Sequence, residues 1–355
     1  MAVIIQAVKG GVNVGIFCSK GIEIVAISAA VPCENISKSA NSVVFGSEVV
    51  DKFIKTTGIE SRYITSEKQT ASDLGFEAAV NILEKLNINR SEIGIIIYTS
   101  LSPDYRRPST SCVLQMRLGL PKDCAALDIG HGCAGFVYGN QVMLSMMSTT
   151  DCRYGLLICG DTLSKLQDKT DHLSMMFGDA ASAILYERNA DEKSSIRTLL
   201  GADGSRYKAI FSPGGGFRYL DESPSFKMDG MEVFAFSTQE IPGYVLEFLS
   251  YTGTSADEYD CVVLHQANKS ILRVLAKALA IPEEKVPISL DRYGNTSSAS
   301  IPLTICDRYG SSPDTEKIKV LACGFGVGLA WGVTSFSIKT ENIFSISKTG
   351  EYFEE

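Results

Sequence analysis

The chain has 355 residues, 45% of them hydrophobic, and a formal net charge of −8. This length is sufficient for one large core or for two closely packed halves. Lysine and arginine never form a run of more than two residues, so the composition excludes nucleic acid as an expected partner.

Residues 1–20 are apolar, but a lysine and several glycines interrupt them and no basic stretch precedes them, which is unlike a signal peptide. No later run of about 20 uncharged apolar residues predicts a membrane span. The ten cysteines form no CxxC pair, which is typical of a reduced, cytoplasmic protein. A zinc site built from His131, Cys133, Cys261 and His265 is conceivable, but the spacings match no known zinc finger or ribbon.

A weak internal repeat recurs at a spacing of roughly 160–166 residues. Residues 81–100 read as an amphipathic helix, a polar turn and a buried strand, and residues 245–266 repeat that order. Residues 115–135 and 275–297 both read as a helix, a break at proline, a strand and a loop. Two strands that end in Cys-Gly, at 154–161 and 318–325, form the third match.

The strands of this repeat are rich in Ile, Val, Leu and Cys without polar alternation, which is typical of strands buried on both faces. Because they alternate with helices, we expect parallel or mixed sheets covered by helices, related by a pseudo-twofold. The repeat aligns Cys133 with Asn295, each in a loop after an equivalent strand. His265 ends a third such strand, so the three side chains are predicted to meet between the halves.

Cys133 follows a strand-like segment, Ala125–Ile129, and a helix is predicted to begin at the cysteine. A helix N-terminus lowers the pKa of a cysteine, and a thiolate can accept an acyl group from a thioester. A neutral His265 and the carboxamide of Asn295, both donating to one oxygen, could stabilise the enolate left when a malonyl thioester loses carbon dioxide. A papain-like protease uses the same three residue types, but there the histidine is the immediate partner of the thiol.

Four ordered motifs, DIGHGCAGF, HQANKSI, YGNTSSASIP and GFGVGLAWG, resemble the signature of β-ketoacyl-acyl-carrier-protein synthase III in the thiolase superfamily. Thr57–Ile64 and Phe177–Glu187 are similar too. The resemblance implies an α/β thiolase-like fold of two duplicated halves in five layers. The implied organisation is an extension at 1–20, a half at 21–190 with the nucleophile, a half at 191–338 with the histidine and asparagine, and a tail at 339–355.

By this resemblance Cys133 is the acylated nucleophile, while His265 and Asn295 bind the malonyl thioester carbonyl during decarboxylation. The backbone N–H groups of Cys133 and Val327 would form the oxyanion hole, although the family has glycine at the valine position. Phe325 would be the aromatic gate and Gly326 part of a tight turn. Taken alone, Cys133 and His265 could be core residues and Asn295 a turn residue. His131 could tune the thiolate or line the pocket.

Three cations, Lys269, Arg273 and Lys277, recur every four residues on one predicted helix face and are called here the basic stripe. A solvated face is the ordinary interpretation. The functional alternative is a docking site for an acidic acyl carrier protein, because the stripe begins beside His265. In the family the basic contact usually stands one position later, at Ser270 of this chain.

The expected primer is unusual. The family's tryptophan and arginine that clamp the coenzyme A adenine are replaced by Lys52 and Thr56, and Arg107 stands where a phenylalanine of the dimer partner usually closes the acyl pocket. We therefore expect acetyl-CoA to be a poor primer, and a longer, more polar or carrier-delivered acyl group to be preferred. Arg107 could equally be a surface loop residue.

The expected activity is decarboxylative Claisen condensation of an acyl thioester primer with malonyl-acyl carrier protein through an acyl-Cys133 intermediate, in fatty acid or related acyl-chain biosynthesis. We expect a cytoplasmic homodimer without a metal or a tightly bound cofactor, for which a coenzyme A thioester is a possible substrate. The alternatives are an acyltransferase or secondary-metabolism condensing enzyme of the same fold, or an inactive structural partner of an active homologue.

Overall fold

The computed structural model describes residues 15–188, 194–222, 224–312 and 315–354. Most of the predicted N-terminal extension, residues 1–14, therefore lies outside the described residues. In chain order the strands are β1 (Ile16–Lys20), β2 (Ile22–Pro32), β3 (Glu34–Ile36), β4 (Arg62–Ile64), β5 (Ile93–Thr99), β6 (Ala125–Ile129), β7 (Tyr154–Asp161), β8 (Ala180–Arg188), β9 (Ser195–Ala202), β10 (Ile210–Phe211), β11 (Lys227–Met228), β12 (Cys261–Leu264), β13 (Lys317–Gly326), β14 (Ala330–Lys339) and β15 (Ser347–Thr349).

The helices occupy the segments between these strands. In chain order they are α1 (Lys38–Phe45), α2 (Ser47–Thr57), α3 (Ala71–Lys85), α4 (Thr110–Arg117), α5 (Gly135–Ser148), α6 (Gly230–Ala235), α7 (Ile241–Thr252), α8 (Lys269–Ala278), α9 (Leu290–Tyr293) and α10 (Ser300–Tyr309). Within the described ranges, no helix has the length and apolar character that a membrane crossing requires.

The two main sheets share one internal strand order. The first runs β15-β2-β8-β7-β5-β6 and the second β1-β9-β14-β13-β12. In the first sheet β8 pairs antiparallel with both β2 and β7, and β7 then pairs in parallel with β5. In the second sheet β14 pairs antiparallel with both β9 and β13, and β13 then pairs in parallel with β12. The shared order and directions confirm the predicted duplication.

Five layers result from the packing of helices on these sheets. Helices α5 and α10 lie between the sheets, where α5 contacts β5 and β7 on one side and β13 and β14 on the other. Helices α3 and α4 cover the outer face of the first sheet, and α7 and α8 cover that of the second. Because α5 is enclosed by both sheets, apolar residues occur all round it. The predicted five-layered α/β architecture is confirmed.

A buried polar side chain in α5 connects the two sheets. The Asn140 side chain is fully buried; its Oδ1 accepts from the Tyr186 hydroxyl of β8 at 2.9 Å, and its Nδ2 donates to Thr334 Oγ1 of β14 at 3.2 Å. A buried amide without such partners would cost about 1–3 kcal/mol. The contact therefore fixes how the two halves meet around the central helices.

The first repeat match agrees closely with the structure. Helix α3 is followed by a 3-10 turn at Arg90–Glu92 and strand β5, and α7 is followed by a 3-10 turn at Ala256–Glu258 and strand β12. The matched Glu92 and Glu258 both end their turns.

One predicted strand is wrong. Residues 286–289, expected to match β6, form no strand between the turn Glu283–Lys285 and α9. Pro287 has no N–H to give to a sheet. The side chain of Gln266 supplies the partners instead: its Nε2 donates to the Pro287 carbonyl at 3.4 Å and its Oε1 accepts from Ser289 N–H at 3.0 Å.

Both terminal segments outside the resemblance add strands to the sheets. β1 pairs antiparallel with β9, and β15 pairs in parallel with β2. Beyond β15, the backbone N–H of Phe353 donates to Asp73 Oδ1 at 2.9 Å, and Gln69 Nε2 donates to the Glu351 carbonyl at 2.9 Å. The tail is thereby held against α3.

Candidate active site

Cys133 lies in the turn between β6 and α5. The helix begins at Gly135 with Ala134 as its N-cap, two residues later than predicted. The cysteine side chain is 9% exposed, and burial raises the pKa of its thiol to about 11. The backbone N–H groups of Val327 and Cys133 lower that pKa, and the buried Asp161 raises it. The expected lowering of the pKa is therefore wrong for the free protein, because loss of solvation outweighs the N–H groups.

A glycine lies directly against the nucleophile. A Cβ atom at Gly326 would be 2.7 Å from Cys133 Cβ and 2.8 Å from Sγ. Gly326 has φ 155°, and it pairs with Ala330 at the end of the β13–β14 ladder. Glycine is required here because the strand backbone approaches the thiol too closely for any side chain.

His265 follows strand β12 and is 1% exposed. Its backbone N–H donates to the Cys323 carbonyl at 2.9 Å, and its Nδ1 lies 2.8 Å from Ser300 Oγ. The ring meets Phe325 edge-on, with centroids 5.6 Å apart. Burial lowers the pKa of His265 to about 3, so the imidazole is neutral near pH 7.

Asn295 follows Gly294, whose φ of 68° ends helix α9. The backbone N–H of Asn295 donates to the Met176 carbonyl at 2.9 Å, which holds the turn against the first half. Its Oδ1 accepts the Ser297 N–H at 2.9 Å. The carboxamide Nδ2 is consequently the end of the side chain that is left to donate into the cavity.

These groups line one cavity of about 210 Å³. The sequence-predicted residues that it brings together are Cys133, His265, Asn295, Phe325, Gly326 and Val327. Apolar side chains form most of the remaining wall, among them Leu163, Met176, Phe177, Ile210 and Phe226. A mostly apolar, concave site with a few converging polar groups is typical of substrate binding.

Asp161, which sequence reasoning missed, anchors the turn beneath this cavity. It is fully buried at the end of β7; its Oδ1 accepts from Leu101 N–H at 2.7 Å and its Oδ2 from Ser298 Oγ at 2.7 Å. Burial raises the pKa of Asp161, while its hydrogen bonds from Ser298 and Leu101 lower it. The carboxylate joins a loop of the first half to the Asn295 turn. The sequence signal that could have identified Asp161 is its position directly after the Cys-Gly pair at the end of a buried strand.

The basic stripe lies on α8, beside the cavity residues Asn268 and Ile271. Arg273 and Lys277 are exposed, and the stem of Lys269 packs against Gly58. No acidic residue of the described ranges forms a salt bridge with the stripe.

Of the other predicted residues, Arg107, His131 and Lys52 do not line this chain's cavity, whereas Thr56 does. Arg107 is exposed in the loop after β5 and does not line it. His131 stacks on Tyr138 with ring centroids 4.0 Å apart, and burial lowers its pKa. Lys52 is exposed, whereas Thr56 reaches the cavity wall and donates its hydroxyl back to the Lys52 carbonyl at 2.9 Å.

A cluster of three or more His, Cys, Asp or Glu side chains with the geometry of a metal site does not occur in the described residues. The four residues considered for zinc therefore form no such cluster. All ten cysteines are free thiols.

The fold is that of the thiolase class of condensing enzymes, and solved structures agree. A 3-oxoacyl-(acyl-carrier protein) synthase from Burkholderia xenovorans aligns with a TM-score of 0.88 and 32% identity, over 94% of this chain and 99% of that one. The priming β-ketosynthase of the R1128 polyketide pathway has the same fold, with a TM-score of 0.83 and 24% identity over 90% and 97% of the two chains.

The family model of 3-oxoacyl-[acyl-carrier-protein] synthase III matches residues 127–204, and the model of its C-terminal part matches residues 249–338. A β-ketoacyl-[acyl-carrier-protein] synthase III of Rhodopirellula baltica is 35% identical over 343 residues, 89% of this chain and 98% of that protein. One from Geobacillus kaustophilus is 35% identical over 284 residues, covering 79% and 88%. The chain belongs to the β-ketoacyl-acyl-carrier-protein synthase III family.

Proposed function

We propose that the protein catalyses the decarboxylative condensation of an acyl thioester with malonyl-acyl carrier protein, in fatty acid or related acyl-chain biosynthesis. The observation that carries the proposal is the composition of the cavity. It combines a cysteine thiol, two backbone N–H groups directed at that thiol, a neutral histidine and an asparagine amide. The chemistry divides into two half-reactions that use different members of this set.

In the first half-reaction Cys133 Sγ attacks the primer carbonyl. The new S–C bond forms as the thiol of the donor leaves, and the cysteine proton departs with that thiol, so atoms and charge balance. The N–H groups of Cys133 and Val327 stabilise the oxyanion of the tetrahedral intermediate. The high thiol pKa reduces the amount of thiolate, but it also makes the thiolate that forms a stronger nucleophile.

In the second half-reaction the malonyl thioester loses carbon dioxide. The electrons of the breaking C–C bond form an enolate, whose oxygen accepts hydrogen bonds from His265 and Asn295 Nδ2. The enolate carbon then attacks the acyl-cysteine carbonyl, and Cys133 leaves as thiolate. No base is required to form the carbanion, and this suits a histidine that burial keeps neutral.

The primer proposal remains that acetyl-CoA is used poorly. At the positions of the family's adenine clamp this chain has an exposed lysine and a threonine whose hydroxyl is bound to its own helix. Loss of a stacking surface and a cation should cost about 1–3 kcal/mol of coenzyme binding. An exposed Arg107 reaching a partner's acyl pocket would favour a longer, more polar or carrier-delivered group.

A homodimer is part of this proposal, because Arg107 would act in the partner's site. Support comes from β6, an edge strand of the first sheet on which Leu127 is 38% exposed. An open edge with apolar residues is suited to pairing with a second copy. The free cysteines and the use of carrier substrates support a cytoplasmic location.

The basic stripe is proposed to dock the acyl carrier protein. The helix that carries its cations begins at the cavity, where Asn268 and Ile271 form part of the wall, and no salt bridge of the described residues neutralises them. On a chain of net charge −8, such a local positive surface would orient an acidic partner toward the cavity.

Intact-protein mass spectrometry tests the function. The wild-type protein, incubated with a panel of acyl-CoA and acyl-carrier thioesters, should gain the mass of one acyl group, which malonyl-carrier protein should then remove as the β-ketoacyl product. Cys133→Ser should gain none, because an alcohol is far less acidic than a thiol. An acyl adduct retained by the serine variant, or no adduct with any donor in the wild type, would refute the proposal.

A further inference from the structure

His265 can donate to an enolate only if its single proton is on the nitrogen that faces the cavity. A neutral imidazole has one N–H donor and one lone-pair acceptor, and the hydrogen bond at one nitrogen decides which is which. Nδ1 lies 2.8 Å from Ser300 Oγ, and both residues are 1% exposed. Nε2 is on the opposite side of the ring, and no described residue bonds it.

The direction of the hydrogen bond at Nδ1 follows from the surroundings of Ser300. Its Oγ has no second partner among the described residues, and its backbone carbonyl accepts the Thr304 hydroxyl at 2.7 Å. If Nδ1 carried the proton, the serine hydroxyl would be a buried donor without an acceptor, which costs about 1–3 kcal/mol. If Ser300 donates to Nδ1, both groups are satisfied and the proton is on Nε2.

We propose that Ser300 is a positioning residue that fixes His265 as the tautomer protonated on Nε2. The inference rests on the proposed function, since the hydrogen bond from Ser300 would make the His265 ring a donor to the malonyl thioester oxygen. In the other tautomer, protonated on Nδ1, a lone pair on Nε2 would face that oxygen and repel the enolate.

The same segment orients both proposed donors. Asn295 and Ser300 are five residues apart, on either side of the turn that leads into α10. In this segment the Ser297 N–H occupies the acceptor atom of Asn295, and the Ser300 hydroxyl occupies the acceptor atom of His265. Each side chain therefore presents its donor to the cavity. The spacing explains how one loop can orient the donors of two groups, one that follows helix α9 and one that follows strand β12.

The tautomer can be read directly by ¹⁵N NMR of the protein with labelled histidine. The chain has three histidines, so loss of one signal set in His265→Gln identifies the relevant ring. The wild type should show His265 protonated on Nε2 alone and unchanged between pH 6 and 8, since its pKa is about 3. A ring protonated on Nδ1 in the wild type would overturn the proposal.

Two variants separate positioning from general packing. Ser300→Ala should give a mixture of tautomers, and Ser300→Thr, which keeps the hydroxyl, should restore Nε2–H. Ser298→Ala, a buried serine of the same turn bonded to Asp161 and not to His265, should leave the tautomer unchanged. An unchanged tautomer in Ser300→Ala would refute the assignment.

Kinetics provide the second readout. Ser300→Ala should lower the rate constant of malonyl decarboxylation on the order of 10–100-fold, part of the usual loss for one oriented donor, while acylation of Cys133 stays near the wild-type rate. Equal losses in both half-reactions would indicate a merely structural role and overturn the proposal. The tautomer is measured in the free protein, so it can be tested separately from activity. If His265 is protonated on Nε2 but the protein has no condensing activity, the proposed function is refuted and the tautomer assignment stands.

Discussion

Gly326→Ala perturbs the nucleophile without replacing it. The added Cβ would lie 2.7 Å from Cys133 Cβ and 2.8 Å from Sγ. Ordinary contacts between carbon atoms are about 3.5–4.0 Å, so the overlap is roughly 1 Å. Gly326 is held in the β13–β14 ladder, and the thiol must therefore move. A displacement of about 1 Å at a reacting atom costs on the order of 10²-fold in rate, and overpacking a core site costs about 1–3 kcal/mol of the free energy of unfolding.

The assay is the rate of acyl loading by intact-protein mass spectrometry, measured beside denaturant unfolding. Gly243→Ala is the matched control, because a Cβ there meets no atom within 4 Å and lies in helix α7. This control should acylate at the wild-type rate with equal or slightly greater stability. Wild-type loading by Gly326→Ala would refute the reasoning that the thiol reacts from its position against Gly326.

Asp161→Asn removes a buried negative charge that raises the pKa of Cys133, so the pH profile of thiol alkylation by iodoacetamide should move to lower pH. An unshifted profile would contradict that coupling. Changing the basic stripe to glutamates should weaken the use of malonyl-carrier protein and reduce the salt dependence of that use, while acylation by a small thioester is unaffected. An unchanged salt response would show that the stripe is only a solvated helix face. In steady-state kinetics acetyl-CoA should have a lower kcat/KM than a longer or carrier-bound primer, and equal efficiency would refute the primer proposal.

The duplicated fold could be predicted because buried strands carry a strong local signal. Unbroken apolar runs such as β5 and β12 are recognisable in the sequence, and their matched turns, ending at Glu92 and Glu258, gave the repeat. Cys133 and His265 converge on one cavity because each follows a strand end at the interface of the halves, whereas Asn295 reaches it from the turn after helix α9. Their catalytic roles remain proposals that the experiments above address.

The remaining features depend on tertiary contacts that no local pattern contains. Burial by distant segments reverses the expected pKa change at Cys133. The strand expected near Pro287 is replaced by bonds to Gln266, a residue 21 positions earlier. Ser300 could be seen as a member of a motif, but its contact with His265 is visible only in the folded chain.

The most direct test of the account compares the two half-reactions in His265→Ala and Asn295→Ala. Both variants should acylate Cys133 at close to the wild-type rate, because neither side chain takes part in that step. Malonyl decarboxylation should fall on the order of 10²–10³-fold in each, the usual loss for one preorganised donor. Variants that fail to acylate but still decarboxylate the malonyl thioester would contradict the assigned division of roles.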